Sequence, residues 1–253
     1  MNAKLSNHGI RLSVVSHNQN RLANLFMGDL AHVKGIDELV FTENLPQGGI
    51  QLPEHIPGRV IGNVTPLGFA GNHNQAFTGN TLPYFCVANP DLRLHSDPLP
   101  RLLACFDDPK VGVVAPLVLN PAGRPEDNAR HFPTPWGLGK KLLGMDDGRY
   151  HFQPTPHSAP QSIEWAAGMF LLFRSEAFRD VGGFDAKFHL YYEDVDICAR
   201  LWRSGWKVVC ETGVTVVHEA QRASRHDPLY MRWHAASMAR YFGKHLGRLQ
   251  RPQ

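Results

Sequence analysis

Short apolar runs alternate with segments of helical periodicity in the first half of the chain. The runs predict strands at residues 11–16, 38–42, 60–61, 84–88 and 111–116. Apolar positions at helical spacing predict helices between them, over residues 21–31, 72–77 and 98–107. This order is typical of an α/β domain with a mainly parallel sheet.

The second half has a different pattern. Prolines recur from Pro121 to Pro160, which predicts a loop-rich stretch over residues 120–162. Beyond it, the apolar pattern predicts one strand at 163–174, helices at 175–180 and 195–204, and two strands at 206–210 and 214–217. A helical rhythm of aromatic and basic residues then predicts a C-terminal helix.

Polar residues follow the predicted strands of the first half. They include Ser16 and Asn18 after the first strand, Glu43 and Asn44 after the second, and the triplet 89–91 after the fourth. In parallel sheets, ligands bind beyond the carboxyl ends of the strands. These positions are therefore candidates for a ligand site.

The segment 183–202 places four acids among aromatic and aliphatic residues: Asp185, Glu193, Asp194 and Asp196. Burying an unpaired carboxylate is costly, so the segment requires an explanation. One explanation is a general base or an anchor for a cation. The alternative is a helix start, where the helix dipole favours acids, with Asp196 paired to Arg200 four residues on.

Composition sets the broad class. The chain has 253 residues, 43% of them hydrophobic and 19% charged, which suits one large domain or one domain with a small appendage. No run of 18 apolar residues indicates a membrane span, and residues 1–11 lack the apolar stretch of a signal peptide. We therefore expect a cytoplasmic protein, with its four cysteines reduced and mostly buried.

The C-terminal segment is basic. From Arg222 to Gln253 there are seven Lys or Arg residues and one acid, Asp227. Charge alone allows anionic lipid, nucleic acid or a phosphate-bearing ligand as partner. The mixture of aromatic and basic residues on one helix suits a membrane surface. A helix that docks on the body with its basic face in water is the alternative.

Four sequence blocks carry a resemblance to a known family. They are NVTPLGFAGNHN (63–74), VANPD (87–91), EWAAGMFLLFR (164–174) and the segment from GFD (183–185) to YEDVDIC (192–198), with His218 beyond them. From about Leu12 to about His245, the chain resembles family 2 glycosyltransferases with the GT-A fold. It is most similar to bacterial rhamnosyltransferases that extend lipid-linked GlcNAc in O-antigen assembly.

The resemblance implies roles for particular residues. Asp91, the last acid of a DxD-like triplet that begins with Asn89, and His218 would hold Mg²⁺ or Mn²⁺. Asp194 would be the general base of an inverting transfer, with Glu193 beside it. The implied nucleotide-sugar residues are Ser16, Asn18, Glu43, Asn44, Gly68, Asn74, Asn89 and Asp91, and the implied acceptor residues are Glu164, Trp165 and Gly168.

The same resemblance implies a reaction and a division of the chain. L-rhamnose would pass from dTDP-β-L-rhamnose to a GlcNAc-diphospho-polyprenol at the inner face of the cytoplasmic membrane, with no nucleic-acid partner. The alternatives are another sugar from a UDP-sugar donor, or a non-catalytic module that binds nucleotide sugars or polyanions. Residues 1–220 would form the transferase domain, with a nucleotide-sugar half at 1–116 and an acceptor half at 117–220, and 221–253 a basic helical segment that contacts the membrane or the body.

Overall fold

The structure is a computed structural model that describes residues 9–145, 148–156, 158–219 and 228–252, and of Leu142, Pro228 and Leu229 only the backbone. Part of the predicted C-terminal segment, residues 221–227, therefore lies outside the described residues. The described strands are β1 (Ile10–His17), β2 (Ile36–Leu45), β3 (Gly58–Gly62), β4 (Tyr84–Ala88), β5 (Leu92–Arg93), β6 (Val111–Leu119), β7 (Ala129–Arg130), β8 (Gln161–Ser162), β9 (Trp165–Ala166), β10 (Phe170–Arg174) and β11 (Lys207–His218).

In the described part of the chain, nine of these strands form one sheet. Its order is β3-β2-β1-β4-β10-β6-β11-β5, and β8 pairs with β11. Strands β3, β2, β1 and β4 pair in parallel, as do β6 and β11, whereas β10 runs antiparallel between β4 and β6. The predicted α/β architecture with a mainly parallel sheet is confirmed. Strand β6 passes through the predicted division at residue 116, and strands from both sides of it share the sheet.

Helices cover both faces of the sheet. They are α1 (Asn20–Asp29), α2 (Phe69–Phe77), α3 (Leu99–Ala104), α4 (Pro135–Leu142), α5 (Ser175–Asp180), α6 (Glu193–Arg203) and α7 (Pro228–His245), with short 3-10 turns at Leu30–His32 and Cys105–Asp107. Successive strand residues point to opposite faces, so Phe85 and Val87 of β4 pack with α2, α5 and α6, while Cys86 and Ala88 pack with α1 and α3. Two apolar layers thus hold the sheet rigid beneath its carboxyl edge.

Three predictions about elements were wrong. The predicted strand at 163–174 is interrupted, because β9 leaves the main sheet to pair with β7 and a turn at residues 168–169 precedes β10. The two strands predicted at 206–217 are one strand, β11, with a register shift between Glu211 and Thr215. The stretch predicted as loops contains α4, whose start is capped by Thr134 Oγ1, an acceptor from Gly137 N at 2.9 Å.

Helix α7 docks on the body, as one of the two sequence-based alternatives predicted. Its side chains Ser237, Tyr241 and His245 are buried. Lys244 and His245 each reach Asp196 of α6 at 2.7 Å. Within the described ranges, the helices include none that combines the length and the apolar character required to cross a bilayer.

Candidate functional site

One edge of the sheet gathers most of the predicted site residues. The parallel strands β1, β2, β4 and β11 end there, at Ser16–His17, Glu43–Asn44, Ala88 and His218. Strand β10 begins at the same edge because it runs antiparallel to β4, with Phe170 opposite Ala88. Residues far apart in sequence therefore meet here.

Asp91 and His218 lie together at this edge. The antiparallel pairing of β5 with β11 sets Leu92 opposite His218, so the residue before Leu92 faces the same imidazole. His218 Nε2 lies 3.3 Å from Asp91 Oδ1, and its Nδ1 lies 2.8 Å from Glu126 Oε2. Burial would lower the pKa of His218, but the hydrogen bonds and charges of Asp91 and Glu126 outweigh it and raise this pKa.

These side chains suit a divalent cation. Asp91 Oδ1 is buried and, within the described residues, receives no well-aligned hydrogen bond, because its 3.3 Å contact with His218 Nε2 is long and poorly aligned for a hydrogen bond. A carboxylate oxygen and an imidazole nitrogen together are acceptable ligands for Mn²⁺, and Mg²⁺ would take the carboxylate and retain waters. Glu126 at the far nitrogen of His218 matches the carboxylates that orient histidine ligands in metal sites. Among the described residues no ready-made group of three ligands is present, so substrate oxygens and waters would complete the coordination shell.

Glu193 and Asp194 begin helix α6. The two preceding residues, Tyr191 and Tyr192, have left-handed backbones with φ of 68° and 67°. This conformation costs an L-residue about 1–2 kcal/mol, so the surrounding packing must hold it. Asp194 accepts hydrogen bonds from the backbone N–H groups of Gly168 at 3.1 Å and Val195 at 2.8 Å. The carboxylate is thereby held in one orientation.

Burial dominates the electrostatics of this acid pair. It raises the pKa of Asp194, against the backbone hydrogen bonds from Gly168 and Val195 and the charge of Arg130. Burial and then the charge of Asp194 raise the pKa of Glu193 further, well above its ordinary value. Glu193 Oε2 is buried and, among the described residues, has no hydrogen-bond partner. Asp194, whose carboxylate holds two backbone hydrogen bonds, is therefore the stronger candidate for a general base.

The turn at residues 168–169 connects two groups of the site. One is Asp91 with His218, the candidate cation ligands, which we call the cation pair. The other is Glu193 with Asp194, the acid pair. Asn89, two residues before Asp91, donates its backbone N–H to Met169 O at 2.9 Å. Gly168, one residue before Met169, donates its N–H to Asp194. A side chain cannot replace the hydrogen at Gly168, because a Cβ would lie 2.9 Å from the Phe69 ring. The structure therefore brings the triplet 89–91 and the acid pair together.

A cavity of about 620 Å³ opens beside the acid pair. Its wall is built by residues of α4, α6 and α7 and by the segment that joins β7 to α4. Glu193, Asp194, Glu164 and Trp165 are among the lining residues. This volume is ample for a sugar ring, and a carboxylate of high proton affinity lines its wall.

The predicted nucleotide residues on β1 and β2 are engaged within the protein. Ser16 Oγ accepts from Gln19 N at 3.1 Å, and Asn18 Oδ1 accepts from Gln47 Nε2. Glu43 Oε1 accepts from Asn20 Nδ2 and Gly48 N. Asn44 bonds to the backbone N–H and C=O of Leu67. These residues shape the edge, and their direct contact with a nucleotide stays a prediction.

Gly68 and Asn74 also serve internal contacts. A Cβ at Gly68 would lie 2.1 Å from the carbonyl oxygen of His189, so it is the protein's own backbone that approaches this glycine. Asn74 donates to Phe184 O at 2.7 Å and accepts from Phe184 N at 2.9 Å. Its amide therefore ties α2 to the GFD block, and its nucleotide role stays a prediction.

The predicted acceptor residues border the cavity in different ways. Glu164 accepts hydrogen bonds from the Phe132 N–H and the His131 ring, and so orders the cavity wall. Trp165 is 8% exposed, its indole N–H donates to His131 O, and Arg130 lies over its ring at 5.7 Å. Core packing, the alternative to sugar stacking, describes Trp165 in this structure.

Two features of the site were missed by the sequence reasoning. Glu126 lies in the proline-rich stretch, where no periodic pattern marks it, and only the tertiary fold brings it to His218. The α4 helix was detectable, because Thr134 followed by Pro135 is a typical helix start.

Comparisons with known proteins agree with this geometry. The family model described as "Glycosyl transferase family group 2" matches residues 90–245. An N-acetylglucosaminyl-diphospho-decaprenol L-rhamnosyltransferase of Mycobacterium tuberculosis is 29% identical over 203 residues, which cover 74% of this chain and 66% of that protein. Rhamnosyltransferase WbbL of Escherichia coli is 34% identical over 83 residues, 32% of this chain and 31% of that protein. The chain thus spans just under two thirds of the first relative.

The fold has solved counterparts. Mannosyltransferase PcManGT of Pyrobaculum calidifontis, in complex with GDP-Man and Mn²⁺, superimposes with a TM-score of 0.66 at 15% identity over 96% of this chain and 65% of that chain. GalNAc-T7 with UDP, GalNAc and Mn²⁺ gives the same TM-score at 16% identity over 87% of this chain and 45% of that chain. The predicted GT-A fold is confirmed.

Proposed function

We propose, since the chain belongs to glycosyl transferase family group 2, that it is an inverting, metal-dependent glycosyltransferase that acts on a lipid-linked sugar. The observation that carries this proposal is the turn at residues 168–169. The backbone of this turn accepts a hydrogen bond from the N–H of Asn89, the first residue of the triplet that contains Asp91. It also donates a hydrogen bond to the carboxylate of Asp194. We infer that a group bound near Asp91 would lie close to Asp194, the carboxylate that would deprotonate the attacking hydroxyl.

Asp91 and His218 would hold the cation, with Glu126 behind His218. When bound, a divalent cation neutralises the negative charge that grows on a diphosphate leaving group. Asp194 accepts the proton of the acceptor hydroxyl, and the backbone N–H groups of Gly168 and Val195 keep its carboxylate oriented. Burial raises the pKa of Glu193 well above its ordinary value, and in its protonated form this carboxyl would offer a hydrogen bond to an acceptor oxygen.

The names of the relatives indicate a donor sugar and an acceptor. One is named for rhamnosyl transfer to a GlcNAc-diphospho-decaprenol. We infer that this chain moves L-rhamnose from dTDP-β-L-rhamnose to a GlcNAc-diphospho-polyprenol, giving an α-linkage. Such an acceptor is held in a membrane, so the protein would work at the inner face of the cytoplasmic membrane. A UDP-sugar donor is the alternative within the same reaction class.

A donor panel tests the proposal. The full chain is incubated with Mn²⁺ or Mg²⁺, a GlcNAc-diphospho-lipid, and dTDP-rhamnose, UDP-GlcNAc, UDP-Gal or UDP-galactofuranose in turn. We expect product from dTDP-rhamnose, none with a chelator present, and inverted anomeric configuration by NMR. Turnover of a UDP-sugar alone would reject the rhamnosyl donor. Nucleotide binding without turnover of any donor would favour a non-catalytic binding module.

A further inference from the structure

Helix α4 and the turn after it present an unusual apolar surface. Trp136, Leu143 and Met145 are 76%, 76% and 70% exposed, although large apolar side chains are normally covered. They lie within ten residues of each other, on and beside a helix of about 12 Å. We call these three side chains the α4 apolar patch. Such a cluster is typical of a surface that meets lipid or another apolar partner.

Two lysines of the same helix line the cavity of Asp194. They are Lys140 and Lys141, in the last turn of α4. Within the described residues, neither ammonium group has a carboxylate at ion-pair distance, whereas the Arg130 and Arg251 side chains at the same cavity contact Asp127 and Glu164. The charge of Lys141 adds to burial in lowering the pKa of His234 across the cavity. Within the described residues, the cavity of the acid pair is therefore lined by two cations that have no ion-pair partner.

We propose that α4 is the acceptor-binding element of this enzyme. Lys140 and Lys141 bind the diphosphate of a lipid-linked acceptor, and the α4 apolar patch contacts its lipid chain at the bilayer surface. The acceptor sugar then occupies the cavity. This inference rests on the proposed function and adds to it the residues that recognise the acceptor.

The groups on and around α4 favour this ligand. The exposed apolar side chains are neighbours in sequence of Lys140 and Lys141, and these two lysines line the same cavity as Glu193 and Asp194. A lipid-diphospho-sugar carries the complementary groups: an apolar chain, an anion and a hydroxylated ring. Glu193, a residue of the cavity wall, also carries a buried oxygen, Oε2, that has no hydrogen-bond partner among the described residues. A nucleic acid would supply anions but no partner for the apolar patch.

Vesicle binding tests the lysines without any need for turnover. The full chain is co-sedimented with phosphatidylcholine vesicles that contain polyprenyl diphosphate, and with vesicles of equal charge that contain phosphatidylglycerol. We expect K140A/K141A to weaken binding to the polyprenyl diphosphate vesicles about 10- to 30-fold. The matched control is R232A/R240A, which removes two exposed charges from α7 and is expected to change this binding less than 3-fold.

Kinetics separate the two parts of α4. With a water-soluble acceptor, GlcNAc-diphosphate on a short alkyl chain, we expect K140A/K141A to raise the acceptor KM about 10-fold and to leave the donor KM unchanged. The variant L143S/M145S, at two exposed side chains that are not among the cavity-lining residues, should raise the KM more for a long-chain acceptor in vesicles than for the water-soluble acceptor. Circular dichroism and thermal unfolding check that both variants fold.

Several results would overturn the inference. Binding lost only in R232A/R240A would assign the lipid contact to α7, and equal lysine-dependent binding to both vesicle types would show a general anionic-lipid surface. An unchanged acceptor KM in K140A/K141A would remove the diphosphate site. If polyprenyl diphosphate binding depends on the lysines but no donor is turned over, the proposed function fails and the α4 site stands.

Discussion

Glu193 and Asp194 are neighbours in sequence with different environments. Asp194 receives two backbone N–H groups, whereas Glu193 Oε2 has no partner among the described residues. Hydrogen bonds to a carboxylate favour its charged form, and unpaired burial favours the neutral form. The two acids therefore have different hydrogen-bonding environments, which suit the roles of base and neutral donor proposed for them.

Asp194→Asn tests the base. The amide keeps the size of the side chain but cannot accept a proton, so we expect the transfer rate to fall more than about 100-fold. Nucleotide binding by calorimetry should be retained, because the role proposed for Asp194 is toward the acceptor hydroxyl and not toward the nucleotide. The matched control is Glu176→Gln, an exposed first-turn acid of α5, which should behave as wild type. Normal turnover by Asp194→Asn would show that another group is the base.

Glu126 is a positioning residue that this structure identifies beside His218. Glu126→Gln keeps a hydrogen-bond acceptor but removes the charge that orients the imidazole, so we expect Mn²⁺ affinity in the presence of nucleotide to fall about 10- to 100-fold. Calorimetric titration measures the effect. Asp108→Asn, which breaks the exposed pair with Lys207, is the control. Equal Mn²⁺ affinity in both variants would exclude Glu126 from the site.

At the scale of elements, α6 is held in place by α7. Asp196 on α6 is buried and contacts Arg200, Lys244 and His245, each at 2.7 Å. Burial alone would raise its pKa, but these partners outweigh burial and lower the pKa to about 2. The first turn of α6, which carries the acid pair, is therefore fixed by the last turn of α7.

Asp196→Asn should loosen this junction. Removing one member of a buried ion-pair network leaves its partners uncompensated, so we expect the free energy of unfolding to fall by about 3–5 kcal/mol. In the wild type, this stabilisation is complete above the ordinary pKa of 3.8 and is lost as the pH falls from about 4 to about 2. Urea unfolding at pH 7 and at pH 3 measures it. A variant that loses as much stability with falling pH as the wild type would contradict the assignment.

The start of α2 requires close backbone contact. At Gly68 a Cβ would meet the His189 carbonyl, whereas at Gly71, one turn later, its nearest contact would be an ordinary 3.4 Å from Leu67 Cβ. Gly68→Ala should therefore cost about 1–3 kcal/mol of stability by overpacking. Gly71→Ala is the matched control and should be neutral or stabilising by up to about 1 kcal/mol, because alanine favours helix. Urea unfolding at pH 7 gives both values, and equal destabilisation would refute the contact.

At the scale of the whole molecule, the site is assembled from both halves of the sheet. Asp91 immediately precedes β5 and His218 ends β11, whereas the acid pair begins α6. The turn before β10 forms hydrogen bonds with both Asn89 and Asp194. The ligands proposed among the described residues are two, Asp91 and His218, so a cation would bind weakly alone and more tightly with a diphosphate. Metal and nucleotide should therefore stabilise the fold cooperatively.

Thermal unfolding tests this cooperation. We expect Mn²⁺ and dTDP together to raise the Tm by more than the sum of their separate shifts, because each ligand completes the other's site. In Asp91→Ala the extra shift should disappear while the shift from dTDP alone remains. Additive shifts in the wild type would show that metal and nucleotide bind independently.

The alternation of strands and helices in the first half of the chain, the mainly parallel sheet and the family resemblance followed from the amino-acid sequence alone. Hydrophobic periodicity records which face of each element is buried, and blocks such as YEDVDIC keep their chemistry within a few residues. Asp196 pairing with Arg200 was also predictable, because residues four apart share a helix face.

Only the tertiary structure decided which polar groups are available to a ligand. Asn74, Asn44 and Glu43 had the residue types of a nucleotide site, yet their side chains hold the protein's own backbone. Glu126 and the α4 lysines gave no pattern, yet the fold brings them to the site. Periodicity reports burial along a single element, whereas hydrogen-bond partners and uncompensated charges depend on contacts between residues distant in sequence.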